Sequence, residues 1–130
     1  YTNLSKDLIY LSGTFKGKIQ NKDIIKKKIN ELKSKKEFSQ PIRVRTSGST
    51  FKNPVYQTDK KVWELIRESV DINKVNKMFG DAILSEKHCN FLINKEKASS
   101  KDMKSLINFI KENVYKKTQV NLELEIILVE

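Results

Sequence analysis

The 130-residue sequence holds one cysteine (Cys89), one histidine (His88), two prolines, four glycines and three arginines (Arg43, Arg45, Arg67). A lone cysteine excludes an internal disulfide framework, and one histidine leaves no ligand set for zinc or iron. None of the four glycines forms a phosphate loop or a G-x-G-x-x-G turn, so no dinucleotide-binding unit is encoded and any nucleotide cofactor has to be held elsewhere. No apolar run approaches the roughly 20 residues that span a bilayer, and no apolar stretch follows a basic start as in a secretory signal. The chain reads as soluble. It begins with Tyr1 rather than Met, which reads as a fragment.

What is present is charge. The composition is 38% hydrophobic and 32% charged, enough apolar material for one domain with a modest core. The net charge of +10 invites a nucleic-acid reading, because clustered cations release counterions from phosphates. Yet 23 of the 26 basic residues are lysine, whereas base and phosphate recognition favours the bidentate guanidinium. The charge is also uneven: residues 1–45 carry 12 basic and four acidic side chains, residues 46–130 carry 14 and 12. The densest group, Lys26, Lys27, Lys28, Lys33, Lys35 and Lys36, reads as the solvated face of a helix.

Alternation predicts a strand over Leu8–Phe15, with Ile9, Leu11 and Phe15 on one side and Gly13 as a bulge. Asn21 can cap a helix running to about Lys36, with Ile25, Ile29 and Leu32 as a narrow apolar stripe. Phe38–Pro54 reads as loop and short extended segments, with a domain boundary near residue 40. A second helix is expected from Thr58 or Asp59, its apolar side formed by Val62, Trp63, Ile66 and Val70. Asp71–Phe79 has no clean period. Ala82–Leu84 and Phe91–Ile93 suit two buried strands around a polar turn. Ser99-Ser100-Lys101-Asp102 has capping-box spacing and opens the best helix, whose face is Met103, Leu106, Ile107, Ile110 and Val114. Val120–Val129 closes the chain as a strand. The expected fold is α+β, with a small mixed or antiparallel sheet covered by helices.

Three stretches can carry chemistry. Gly48–Pro54 gathers a turn glycine, the Ser49 hydroxyl, a cation (Lys52) and an amide (Asn53). It reads either as an anion-binding loop or as a polar turn whose Phe51 plugs the core. Ser85–Phe91 holds His88 and Cys89, but sequence neighbours on a strand point to opposite faces, so a hydrogen-bonding His88 is favoured over a thiol nucleophile. In Leu122–Ile127, alternation puts Glu123 and Glu125 on one face, exposed or facing a cleft; in a cleft, desolvation would make Glu125 a usable acid.

Taken in order, G-S-T-F-K-N-P (Gly48–Pro54), W-x-L-I (Trp63–Ile66), G-D-A-x-x-S-E-K-H-C-N-F-L-I-N (Gly80–Asn94) and Glu125-Ile126 behind Leu122 resemble the C-terminal domain of the UDP-N-acetylenolpyruvoylglucosamine reductase (MurB) family of peptidoglycan synthesis. Gln40-Pro41 also fits, and the resemblance spans roughly residues 40–130. Residues 1–39 match more loosely, as the last strand and helix of a preceding FAD-binding region. The resemblance implies a cytoplasmic, monomeric flavoenzyme that takes hydride from NADPH onto FAD and reduces UDP-N-acetylglucosamine enolpyruvate, with no nucleic-acid or membrane partner. By motif, Ser49 is the proton donor, Glu125 the assisting carboxylate, and Asn53 and His88 bind substrate. The chain departs from the family in Val70–Met78, where a short glycine-containing turn with a basic residue is usual, which leaves Lys74 and Lys77 as alternatives for the substrate phosphate. The tyrosine and arginine that precede the family's first strand would fall around or upstream of residue 1, where Tyr1 is a candidate for the tyrosine but has no arginine next to it. The rival reading is a lysine-rich nucleic-acid-binding module, and a third is an inactive remnant of the reductase.

Overall fold

The computed structural model describes residues 7–129, which divide into two units, one ending at Lys33 and one starting at Ser34. Tyr1 lies outside the described residues. Helix α1 (Lys22–Ser39) crosses the division. The Asn21 side-chain oxygen accepts the backbone N–H of Asp23 at 2.8 Å, which is the expected cap. The expected stripe does not pack: Ile25, Ile29 and Leu32 are exposed, and α1 buries no side chain. Leu8–Phe15 is not a strand either, and Ile9, Leu11 and Phe15 are almost fully exposed. Alternation makes a strand only where a second strand completes the ladder, and no described residue pairs with this segment.

The second unit is α+β. Strands β1 (Thr46–Ser49), β2 (Ala82–Leu84) and β3 (Phe91–Asn94) form an antiparallel sheet in the order β1-β3-β2. Helix α2 (Val62–Ser69) packs on α4 (Ser100–Thr118), α4 also covers β2, and the short α3 (Ile72–Val75) sits against β2. The core joins Leu65 and Ile66 of α2, Leu106, Ile107, Ile110 and Val114 of α4, and Ala82, Leu84 and Leu92 of the sheet, with Phe51, Cys89, Val120 and Leu122 from the connections. Helices α1 and α4 are alike in length, 18 and 19 residues, and both are rich in lysine. The difference lies in burial, because each aliphatic side chain that α4 buries contributes roughly 2 kcal/mol. At the start of α4 the capping box is complete: Asp102 N–H donates to Ser99 Oγ at 3.1 Å, and Ser99 N–H donates to Asp102 Oδ2 at 2.8 Å.

Other boundaries move. Helix α2 begins at Val62, four residues after Thr58, because Glu64 accepts the Lys61 N–H at 2.7 Å and fixes the first turn there. Trp63 leaves the apolar side and is 37% exposed, while Val62 and Ile66 are buried. The aperiodic stretch after Val70 resolves into α3, capped by Asp71 accepting from Lys74 N–H. The closing segment forms no ladder strand. Only Leu124 bridges to Phe51, through Lys52 N–H to Glu123 O and Glu125 N–H to Thr50 O, both 2.9 Å, and Ile127 and Val129 are exposed.

Irregular connections are held by a repeated device. Four side-chain amides each donate to the C=O and accept from the N–H of a single other residue, as a neighbouring strand would. The pairs are Gln57 with Asn121, Asn76 with Leu84, Asn90 with Phe51, and Asn94 with Ala98.

Candidate functional site

Strand β1 pairs with β3 at Thr46↔Ile93 and Ser49↔Phe91, so three steps on β1 face two on β3. The extra residue is a bulge at Ser47-Gly48, and Gly48 takes φ +88°, a left-handed conformation that side-chain-bearing residues rarely adopt. A bulge inverts the alternation that follows it, and here it sets the face on which Ser49 emerges.

Ser49 opens onto a cleft of about 310 Å³. Its walls include Glu125 from the closing segment, Asn53 from the loop after β1, and His88 and Asn90 from the turn between β2 and β3. All four residues singled out from sequence, Ser49, Asn53, His88 and Glu125, therefore meet in one place. The tie between Ser49 and Glu125 is short: Glu125 N–H donates to the carbonyl of Thr50, the residue after Ser49. Ser49 is half-buried and Glu125 is exposed.

Asn53 uses its side-chain oxygen inside the fold, accepting the Val62 N–H at 3.1 Å. His88 sits edge-on to Phe91, ring centres 4.9 Å apart, with Trp63 at 6.5 Å on another side. Burial pushes its pKa below the ordinary histidine value, partly offset by a hydrogen bond with the backbone. Its buried Nδ1 has no hydrogen-bond partner among the described residues. Cys89 is buried and donates to Trp63 O at 3.0 Å, and burial raises its thiol pKa, so it is not a poised nucleophile.

Neither lysine left open for the phosphate role reaches this cleft. Lys74 lines a separate depression with Ser69, Asp71 and Asn113, and Lys77 lines neither. Lys52 pairs instead with Glu123 at 3.5 Å. The cation in the cleft is Lys61, joined by Trp63. Sequence reasoning missed Lys61 as one lysine among many, and it missed Asn90 because its role is to bond backbone, which no pattern of side-chain types announces.

Among the described residues no group of three potential metal ligands occurs, and no helix is long and apolar enough to cross a membrane. A family profile described as "UDP-N-acetylenolpyruvoylglucosamine reductase, C-terminal domain" matches residues 40–129. Relatives bearing the name UDP-N-acetylenolpyruvoylglucosamine reductase include those of Pelagibacter ubique (54% identical), Rickettsia typhi (41%) and Gluconobacter oxydans (37%). The alignments cover 95%, 95% and 97% of this chain and 40%, 40% and 39% of the respective relatives, so the chain spans about two fifths of their length. With these motifs folded into one cleft and the profile matched over most of its length, the chain belongs to the UDP-N-acetylenolpyruvoylglucosamine reductase family, as its C-terminal domain.

Proposed function

We propose that this chain is the substrate-binding part of a UDP-N-acetylmuramate dehydrogenase, which reduces the enolpyruvyl group of UDP-N-acetylglucosamine enolpyruvate in peptidoglycan precursor synthesis. The observation that carries the reading is the convergence of Ser49, Glu125, Asn53 and His88 on one cleft. In such an enzyme NADPH and FAD supply the hydride. The described residues do not supply a cradle for the flavin's nucleotide: among them no glycine-rich turn opens a helix. The flavin would have to be held by other residues, and the contribution of this chain is the proton.

Hydride addition to one alkene carbon leaves negative charge on the neighbouring carbon, conjugated to the substrate carboxylate. That carbon has to be protonated. A serine hydroxyl is a poor acid in water and becomes a donor only when aligned and shielded; the half-buried position of Ser49 after the bulge supports that role. Glu125, whose backbone N–H bonds the Thr50 carbonyl, would relay or stabilise charge as that proton leaves. Lys61 supplies the positive charge suited to the anionic substrate. Asn53 retains its side-chain N–H donors for ligand after its oxygen is committed to Val62.

The test is turnover by the full-length protein with FAD: oxidation of NADPH that depends on UDP-N-acetylglucosamine enolpyruvate. Absence of substrate-dependent oxidation in a flavin-loaded, folded preparation overturns the reading.

A further inference from the structure

Past Ser49↔Phe91 the sheet runs out, because the chain on the β3 side turns away at Cys89-Asn90. The chain after Ser49 nevertheless keeps backbone partners for two more residues. Thr50 N–H donates to Asn90 O at 2.8 Å. The Asn90 side chain then does what the absent strand would have done, accepting Phe51 N–H on Oδ1 and donating from Nδ2 to Phe51 O, each at 2.9 Å. On the opposite edge of the same two residues, Thr50 O accepts from Glu125 N–H and Leu124 bridges Phe51. Residues 50 and 51 are thus the middle rung between Asn90 and the segment that carries Glu125.

Asn90 is only 3% exposed, yet it borders the cleft. A buried side-chain amide with both ends satisfied has little rotational freedom, and its two bonds define the position of Phe51 along two directions. We propose that Asn90 is the positioning residue of this site: its amide, acting as a two-pronged surrogate strand, sets the spacing between Ser49 and Glu125 that proton delivery needs. The proposal deepens the reductase reading and rests on it for its kinetic consequence, while its structural content stands on Phe51 and Glu125 alone.

The informative variant is Asn90→Asp in the full-length, flavin-loaded protein. An ionised aspartate can accept from Phe51 N–H but cannot donate to Phe51 O; a protonated one does both. Flavin reoxidation by UDP-N-acetylglucosamine enolpyruvate should therefore fall by about 10²-fold at pH 8 and recover as pH is lowered through the pKa of the new carboxyl group. Flavin reduction by NADPH should stay within about twofold of the parent. His88, Lys61 and Glu125 border the same cleft, so the profile is read as the ratio of variant to parent, in which contributions common to both proteins drop out. A ratio near one at every pH, or a flat loss without recovery, overturns the proposal.

A second measurement does not depend on turnover. In the same protein, amide hydrogen exchange at Phe51 and Glu125 should accelerate at least tenfold in Asn90→Asp at pH 8, with the amides of α4 at Leu106 and Ile110 unchanged. Unchanged exchange at Glu125 removes Asn90 from the positioning role even if the reductase reading holds. Accelerated exchange in a protein without substrate-dependent turnover retains the clamp and removes the reductase reading instead.

Discussion

Asn53 accepts the Val62 N–H on its side-chain oxygen at 3.1 Å, so an amide expected to orient a ligand also anchors the first residue of α2. The two duties separate by substitution. Asn53→Ala leaves a helix N-terminal N–H without its acceptor and should cost about 1 kcal/mol, a fall in melting temperature of roughly 4 °C. Asn53→Asp keeps the acceptor and adds a charge that favours a helix N-terminus. Its melting temperature should match the parent, while binding of UDP-N-acetylglucosamine enolpyruvate weakens through loss of the N–H donors. Calorimetry for both quantities is the check, and an Asp variant with parental affinity would show that the donors are not used.

Ser49→Ala in the flavin-loaded protein should leave reduction by NADPH near the parental rate and slow reoxidation by substrate about 10²- to 10⁴-fold, the usual worth of a positioned acid. Stopped-flow absorbance of the flavin separates the two half-reactions. Unchanged reoxidation would take the proton-donor role away from Ser49.

His88 should be neutral near pH 7, because burial lowers its pKa below the ordinary value of about 6.5. The sign for stability follows: between the folded and unfolded pKa values the unfolded state binds more protons, so the folded state loses stability as pH falls below about 6.5. His88→Gln carries no such titration and should show a flatter profile across that window. NMR titration of the ring protons and denaturant unfolding from pH 5 to 8 test both statements.

Asp102 is held below the ordinary carboxylate range, first by the Ser99 hydroxyl and then by the Ser99 backbone N–H. The stabilisation is present above the unfolded pKa and is lost as pH falls through the folded one. Ser99→Ala removes the larger of the two bonds and should move the Asp102 titration, followed by carboxyl NMR shifts, back toward its unfolded value. No movement would mean that the hydroxyl bond does not form in solution.

The second unit was legible wherever a local pattern coincided with burial. Leu106, Ile107, Ile110 and Val114 announced α4 because every one of them faces the core. Ala82–Leu84 and the Phe91 strand were legible for the same reason. Leu8–Phe15 and Val120–Val129 show the same alternation without a ladder, because pairing is decided by distant segments that a local pattern cannot report. The stripe of α1 was also written clearly, and no described residue buries it. In the cleft, Ser49, Asn53 and His88 stood out by residue type in short polar stretches and Glu125 by alternation, and the family's motifs gave them their roles. Lys61 was hidden among 23 lysines, and the Ser47-Gly48 bulge, which aims Ser49, depends on a register that only the folded sheet defines.

The four amide clamps have a consequence beyond geometry. Each closes a connection across eight or more residues, or the short Asn94–Ala98 turn, with groups that never ionise. The exposed ion pairs, Lys52–Glu123, Lys60–Glu68 and Lys116–Glu112, contribute little and are weakened by physiological salt. Four connections of a lysine-rich chain are thus held by neutral dipoles, and these four should keep their geometry almost independently of ionic strength.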